Sequence, residues 1–286
     1  REGKESMKAV LKKLAFISLI GGSLVLAGCN SDDQADSGDR KKIRIGTTVG
    51  DFADMVTDSV KPQLEAKGYQ VDLVVFTDYV LPNHALADGS IEINTFQHLP
   101  YLNSFKTLHK LDITEVFQIP TGPLGIYSGK KKSLDQLEEG AKFAVPNDPS
   151  NFSRSLALLV DAGLITLKPG TDSLKAVAAD IAENPHKIEL VMIEAPQLPR
   201  VRDDLDYVII PGNYAASSKI PFSDALFTDP GFAFINWAAV KSKDLDAPWV
   251  KDVKEAYNSD AFKAYAAERF AGYKYPAVWS DDESQQ

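Results

Sequence analysis

From residue 42 onward the chain alternates short apolar runs with longer stretches in which apolar positions return every three or four residues. Residues 42–46, 71–76, 91–96, 143–145, 188–193 and 207–210 are short, rich in Ile, Val and Phe, and bounded by polar or turn residues, as buried strands are. Residues 54–67, closed by Gly68, predict a helix despite Pro62, and residues 99–109 predict another with Pro100 in its first turn. Further helices are expected over 152–161 and over 172–183, where Leu174, Val177, Ala178 and Ile181 share one face. Residues 232–240 read as a late strand. Residues 249–270 read as one final amphipathic helix, with Val250, Val253, Ala256, Tyr257 and Phe262 partly on one face. Strands alternating with helices predict an α/β fold with mostly parallel sheets, whose ligands bind at the carboxyl ends of strands.

One such end is the stretch Val145-Pro146-Asn147-Asp148-Pro149-Ser150-Asn151-Phe152-Ser153-Arg154, where a strand stops and a helix starts. Asp148 or Ser150 can cap the first-turn N–H groups, and Pro149 suits the first helical position because its missing N–H costs nothing there. The positive helix end and the planar fork of Arg154 together suit a carboxylate or phosphate. Two readings stay open at this point: an anion pocket, or an ordinary capped helix whose arginine is solvated or paired with an acid. Two other strand ends carry aromatic and polar-tipped side chains, Tyr79 after one and Phe96, His98 and Tyr101 after another. They suit a pocket that is apolar in bulk and oriented by a few polar groups, and they suit core packing equally well. His98 and His109 are about three helical turns apart, too far to share one metal ion. No metal site and no cofactor are expected.

The amino-terminal end has a different pattern. Lys8, Lys12 and Lys13 precede an apolar run over 14–26 that ends in Leu26-Ala27-Gly28-Cys29, the layout of a secretory signal. Residues 1–6 precede Met7 and read as upstream or vector sequence. The tetrapeptide resembles the bacterial lipoprotein box, in which the cysteine is lipidated, so residues 1–28 are expected to be removed and Cys29 to carry the membrane anchor. Cys29 is the only cysteine in 286 residues, which excludes an internal disulfide. Residues 29–40 read as a polar tether and 280–286 as a polar tail. A net charge of −9 argues against nucleic acid, since phosphate contacts need clustered Lys and Arg. The one tight basic run, Lys130-Lys131-Lys132, reads as a solvated loop before a short helix.

Four separated blocks carry a family resemblance: Asp78-Tyr79-Val80-Leu81-Pro82-Asn83, Phe96-Gln97-His98-Leu99-Pro100-Tyr101-Leu102, the stretch from Val145 to Leu156, and Glu194-Ala195-Pro196-Gln197-Leu198-Pro199. In this order they resemble the methionine-binding lipoproteins, the substrate-binding components of methionine ABC importers, from the signal peptide to Trp279. The resemblance implies a two-lobed, type II periplasmic-binding-protein fold that closes on L-methionine. It further implies that Arg154 holds the ligand carboxylate, with Asn147 and Asn151 nearby. Tyr79, Phe96, His98 and Tyr101 would form the wall and floor around the thioether chain, Glu194 would sit at the cleft rim or brace the site, and Asn213 and Tyr214 are further ligand-binding candidates. One position departs from the pattern. Relatives carry a ligand-contacting asparagine three residues before the tyrosine of Tyr214-Ala215, where this chain has Pro211, which offers neither an amide side chain nor an N–H.

Lobe crossings are expected at residues 119–123 and 229–231, where Pro and Gly fix the chain direction. One lobe would comprise residues 41–124 plus 231–279 and the other residues 125–230. The implied partners are L-methionine or a related amino acid, an ABC permease with its ATPase, and a membrane reached through the lipid on Cys29. A monomer is expected, facing the periplasm or the cell exterior. Pro211 leaves open a different apolar amino acid, a short methionyl peptide, or a surface adhesin that no longer transports. An enzyme is not expected, because the sequence lacks a Gly-x-Ser-x-Gly elbow, a phosphate loop, a dinucleotide fingerprint and a His-Glu-x-x-His pair.

Overall fold

A computed structural model describes residues 41–280. The expected signal, the tether with Cys29, and residues 281–286 lie outside the described residues. The first strand, β1 (Lys42–Thr48), leads through Gly50 into a helical run made of α1 (Asp51–Met55), a π turn (Val56–Val60) and α2 (Lys61–Ala66). Pro62 falls in the first turn of α2, where it leaves no N–H unsatisfied, and Gly68 ends the run at φ 91°. Next come β2 (Gln70–Phe76), α3 (Leu81–Asp88), β3 (Ile93–His98), α4 (Leu99–His109) and β4 (Ile113–Ile119). Helix α4 occupies the span its pattern predicts.

After β4 the chain enters a second sheet with β5 (Gly125–Ser128), then β6 (Lys142–Pro146), α5 (Pro149–Asp161), the short pair β7 (Thr166–Leu167) and β8 (Ile181–Glu183), and β9 (Glu189–Ile193). It continues through β10 (Tyr207–Ile210), α6 (Gly212–Ser217) and β11 (Ala225–Thr228), and returns to the first sheet as β12 (Asn236–Lys241). Two helices, α7 (Pro248–Asn258) and α8 (Asp260–Arg269), close the fold against the first sheet's core.

The strand orders are β2-β1-β3-β12-β4 and β11-β5-β10-β6-β9, which gives two lobes with a five-stranded sheet each. Each sheet has one reversed strand, β12 in the first and β5 in the second, antiparallel to both neighbours. Those are the strands with which the chain enters a sheet after crossing; the other four strands of each sheet run in one direction, so each sheet is mostly parallel with a single reversed strand. One apolar core backs the first sheet around Ile43, Ile45, Phe117, Val253 and Tyr257, and another backs the second around Phe143, Val145, Leu156, Leu159 and Ile209.

Two expected helices differ. Residues 172–183 form turns, a single 3-10 turn (Ala178–Asp180) and β8 instead of an α-helix. Asp172 accepts from Leu174 N at 3.0 Å and Asp180 accepts from Val177 N at 2.9 Å, local bonds that compete with a helical ladder. The expected apolar face is split: Val177 is 52 % exposed, while Ile181 packs on the second lobe's core from β8, which pairs with β7. The final helix is broken in two at Ser259, whose backbone is extended (φ −67°, ψ 154°) and whose hydroxyl accepts from Phe262 N at 3.0 Å as the cap of α8. The late strand is also shorter than expected, since residues 232–235 lie outside it.

Candidate functional site

The carboxyl ends of β1, β2, β3, β6 and β10 point into one cleft between the sheets. An open cavity of about 380 Å³ lies there, lined by residues that include Tyr79, Phe96, His98 and Tyr101 from the first lobe and Asn151, Arg154 and Asn213 from the second. The lobes touch across it. Tyr79 donates its hydroxyl to Asn213 Oδ1 at 2.6 Å, Tyr214 donates to Thr77 O at 3.0 Å, and His98 Nε2 meets Asn151 Oδ1 at 2.8 Å. Asn213 Nδ2 reaches Thr48 Oγ1 at 3.3 Å.

His98 caps α4: its Nδ1 accepts from Tyr101 N at 3.2 Å, so the proton of the neutral ring sits on Nε2, which donates to Asn151. Burial, aided by the Arg154 charge, pushes the His98 pKa down to about 3, so the ring is neutral at physiological pH. The rings of Tyr79, Phe96 and Tyr101 lie 6.0–6.1 Å apart. Tyr101 donates to Tyr79 O at 2.6 Å, which ties the two rings together. Behind them Asn83, Asn94 and Gln97 exchange amide hydrogen bonds of 2.7–3.0 Å in a buried network that stiffens the floor.

Helix α5 begins at the cleft. Asp148 is its cap, accepting from Asn151 N at 3.0 Å and from Asn151 Nδ2 at 3.0 Å. Burial raises the Asp148 carboxyl while its hydrogen bonds to Asn151 and Ser150 lower it, leaving it above the ordinary value. The first turn is therefore already satisfied by a side chain, and the capacity for an external anion rests on Arg154, one turn further in. Arg154 is 4 % exposed and is the single charged residue among those lining the cavity. Its Nε donates to Asp229 Oδ2 at 2.8 Å and its face lies 5.1 Å from the Phe234 ring centre. Nη2 lies 2.6 Å from the same Asp229 Oδ2 as an ion pair, and no hydrogen bond joins it to any other described residue.

Asn147 and Glu194 are exposed and are not among the lining residues, and Tyr214 is buried against Tyr79 behind the wall. Pro211 does line the cavity; its carbonyl accepts from Tyr214 N and Ala215 N, so it starts α6 by backbone alone. Sequence reasoning did not single out Phe52, Thr121, Gly122, Gly212 or Asn236, all in the lining. Asn236 carried a legible signal, a lone amide inside an apolar run, and its Nδ2 donates to Phe96 O at 3.0 Å. A second cavity of about 660 Å³ shares Arg154 and is otherwise lined by apolar residues such as Leu158, Leu167, Leu174 and Phe234, with Asp161 and Asp229. Among the described residues no group of three metal-ligating side chains occurs, and no helix is long and apolar enough to cross a membrane.

Residues 43–278 match the model of the NlpA lipoprotein family. The chain belongs to that family. Similar members include the D-methionine-binding lipoprotein MetQ of Salmonella typhi, 39 % identical over 265 residues that cover 91 % of this chain and 96 % of that protein. A probable D-methionine-binding lipoprotein MetQ of Vibrio cholerae is 38 % identical over 268 residues, 93 % of this chain and 98 % of that protein. Among solved structures, a nutrient-binding protein from Burkholderia cenocepacia bound to methionine superposes with a TM-score of 0.77 at 40 % identity, covering 82 % of this chain and 99 % of that one. The family's two-lobed fold is the fold described above.

Proposed function

We propose that this chain is an extracytoplasmic substrate-binding lipoprotein that captures methionine, or a closely related amino acid, and delivers it to an ABC import permease. The observation that carries the reading is one buried cation, Arg154, in an otherwise uncharged, aromatic-walled cavity shared by two lobes. A free amino acid carries one carboxylate, and a charge-assisted contact with it is worth roughly 1.5–3 kcal/mol. The thioether chain would lie among Tyr79, Phe96, His98 and Tyr101, where sulfur–aromatic contacts add about 0.3–1.5 kcal/mol each. With Pro211 unable to take part, the amide oxygens of Asn213 and Asn236 are acceptors for the ammonium. Asn151 positions His98, and Tyr214 backs Tyr79, while Asn147 and Glu194 would act at the mouth. The names of the relatives, a methionine-bound structure among them, support the ligand class.

The same reading assigns residues 41–124 plus 231–279 to one lobe and 125–230 to the other, anchors the chain through lipid on Cys29, and makes it a monomeric binder with no catalytic residues. Pro211 favours a second ligand reading, a different apolar amino acid or a short methionyl peptide in the same cleft. Calorimetry with L-methionine, D-methionine, methionyl dipeptides and other apolar amino acids separates the two. Single-site binding of either methionine isomer in preference to the rest is expected. Absence of heat with the whole panel would refute the capture role.

A further inference from the structure

Behind the cleft, four segments meet at one carboxylate. Asp229 Oδ1 accepts from Leu124 N at 3.0 Å and lies 3.1 Å from Lys274 Nζ, while Oδ2 takes the Nε edge of Arg154. Lys274 is itself fixed to the first crossing, exchanging backbone hydrogen bonds of 2.9 and 3.0 Å with Thr121. The side chains of Arg154, Asp229 and Lys274 are only 5 %, 9 % and 11 % exposed. Burial works against the charge of Asp229, but the two cations outweigh it and hold the carboxyl below the usual range. Lys274 is pushed down by burial and by Arg154, and Asp229 opposes that.

Geometry and charge then combine. Asp229 occupies one edge of the guanidinium, and among the described residues no hydrogen bond engages the edge formed by Nη1 and Nη2. Arg154 with Asp229 alone would be a neutral pair with little pull on an anion. Lys274, which is not in the cavity lining, brings the cluster back to one net positive charge. We propose that Asp229 and Lys274 are positioning residues for ligand capture. Asp229 aims the free edge of Arg154 into the cleft, and Lys274 restores the single positive charge that one ligand carboxylate then neutralises. This rests on the reading that Arg154 receives a ligand carboxylate.

The test is calorimetry of the full chain with L-methionine. Lys274→Met is expected to weaken binding about tenfold or more, as loss of one member of a buried charge set does, although Lys274 does not touch the ligand. Lys274→Arg keeps the charge and should stay within about threefold of the unaltered chain. Adding Asp229→Asn to Lys274→Met restores one net positive charge and should recover most of the lost affinity. Equal losses for Lys274→Met and Lys274→Arg, or no recovery in the double variant, overturn the charge-setting role. Arg154→Ala run in parallel keeps the two claims apart. If it binds as well as the unaltered chain, or if the unaltered chain gives no heat with L-methionine, the carboxylate reading falls and this proposal with it. If Arg154→Ala abolishes binding while Lys274→Met does not weaken it, the positioning proposal alone fails.

Discussion

His98 and Asp51 show how position decides what an ionisable residue contributes. His98 is buried beside Arg154 and its pKa is depressed to about 3 from 6.5. In the fold it binds fewer protons than in the unfolded chain between those values, so its contribution to stability is complete above 6.5 and is lost as pH falls toward 3. Because the ring does not titrate in the working range, ligand affinity measured by calorimetry should stay flat between about pH 5 and 8, and a midpoint near the ordinary histidine value would show that the cleft opens to water. Asp51, buried at the start of α1, behaves in the opposite sense: burial pushes its carboxyl from 3.8 up to about 6. Its Oδ1 accepts from Phe52 N at 3.0 Å, while Oδ2 lacks a well-aligned partner although the Tyr273 hydroxyl is close. The folded state binds the extra proton, so stability declines as pH rises from 3.8 to about 6. Asp51→Asn keeps the acceptor and loses the charge. It should raise stability at neutral pH by on the order of 1–2 kcal/mol in denaturant titrations and flatten that decline. An unchanged slope would mean that the carboxyl is solvated.

At the scale of elements, side-chain hydrogen bonds to the backbone decide where helices begin and whether they exist. The α5 start was legible because Asp148 and Pro149 stand before an apolar face, and both take the positions their chemistry favours. Over residues 172–183 the same chemistry works against a helix, since Asp172 and Asp180 bond locally and leave turns. The break between α7 and α8 follows from Ser259-Asp260, a cap written into the middle of an amphipathic run. Ser259→Ala should cost about 1 kcal/mol by chemical denaturation, as loss of a capping hydroxyl does. A change below a few tenths would mean that packing of Phe262 alone sets the break.

For the whole molecule, the decisive feature is how closely the lobes and crossings approach. Gly50, at φ 102°, turns β1 into α1, and a Cβ there would meet Asn213 O at 2.5 Å. A Cβ on Gly212 would meet the Gly122 carbonyl carbon at 2.7 Å, so the start of α6 rests backbone to backbone on the first crossing. Gly122 and Gly212 both line the cavity. Gly212→Ala must therefore push α6 off the crossing. It is expected to lower stability by more than about 1 kcal/mol and to weaken amino-acid binding in calorimetry. Unaltered affinity would show that the cleft tolerates the displacement.

Local chemistry determined what lies within reach of one element: strands β1, β2, β3, β6, β9 and β10, the capped start of α5, α4 with Pro100 in its first turn, and the aromatic strand ends at Tyr79, Phe96 and Tyr101. Periodicity and capping act over a few residues, so they can be read in order along the chain. Tertiary structure decided the rest. The reversal of β5 and β12 depends on where the chain re-enters a sheet. The partner of Arg154 lies 75 residues away at Asp229, and Lys274 joins from the far end of the fold. No local pattern marks such contacts, because they are fixed by burial, where a charge needs a partner and the only available partners are those that folding brings together.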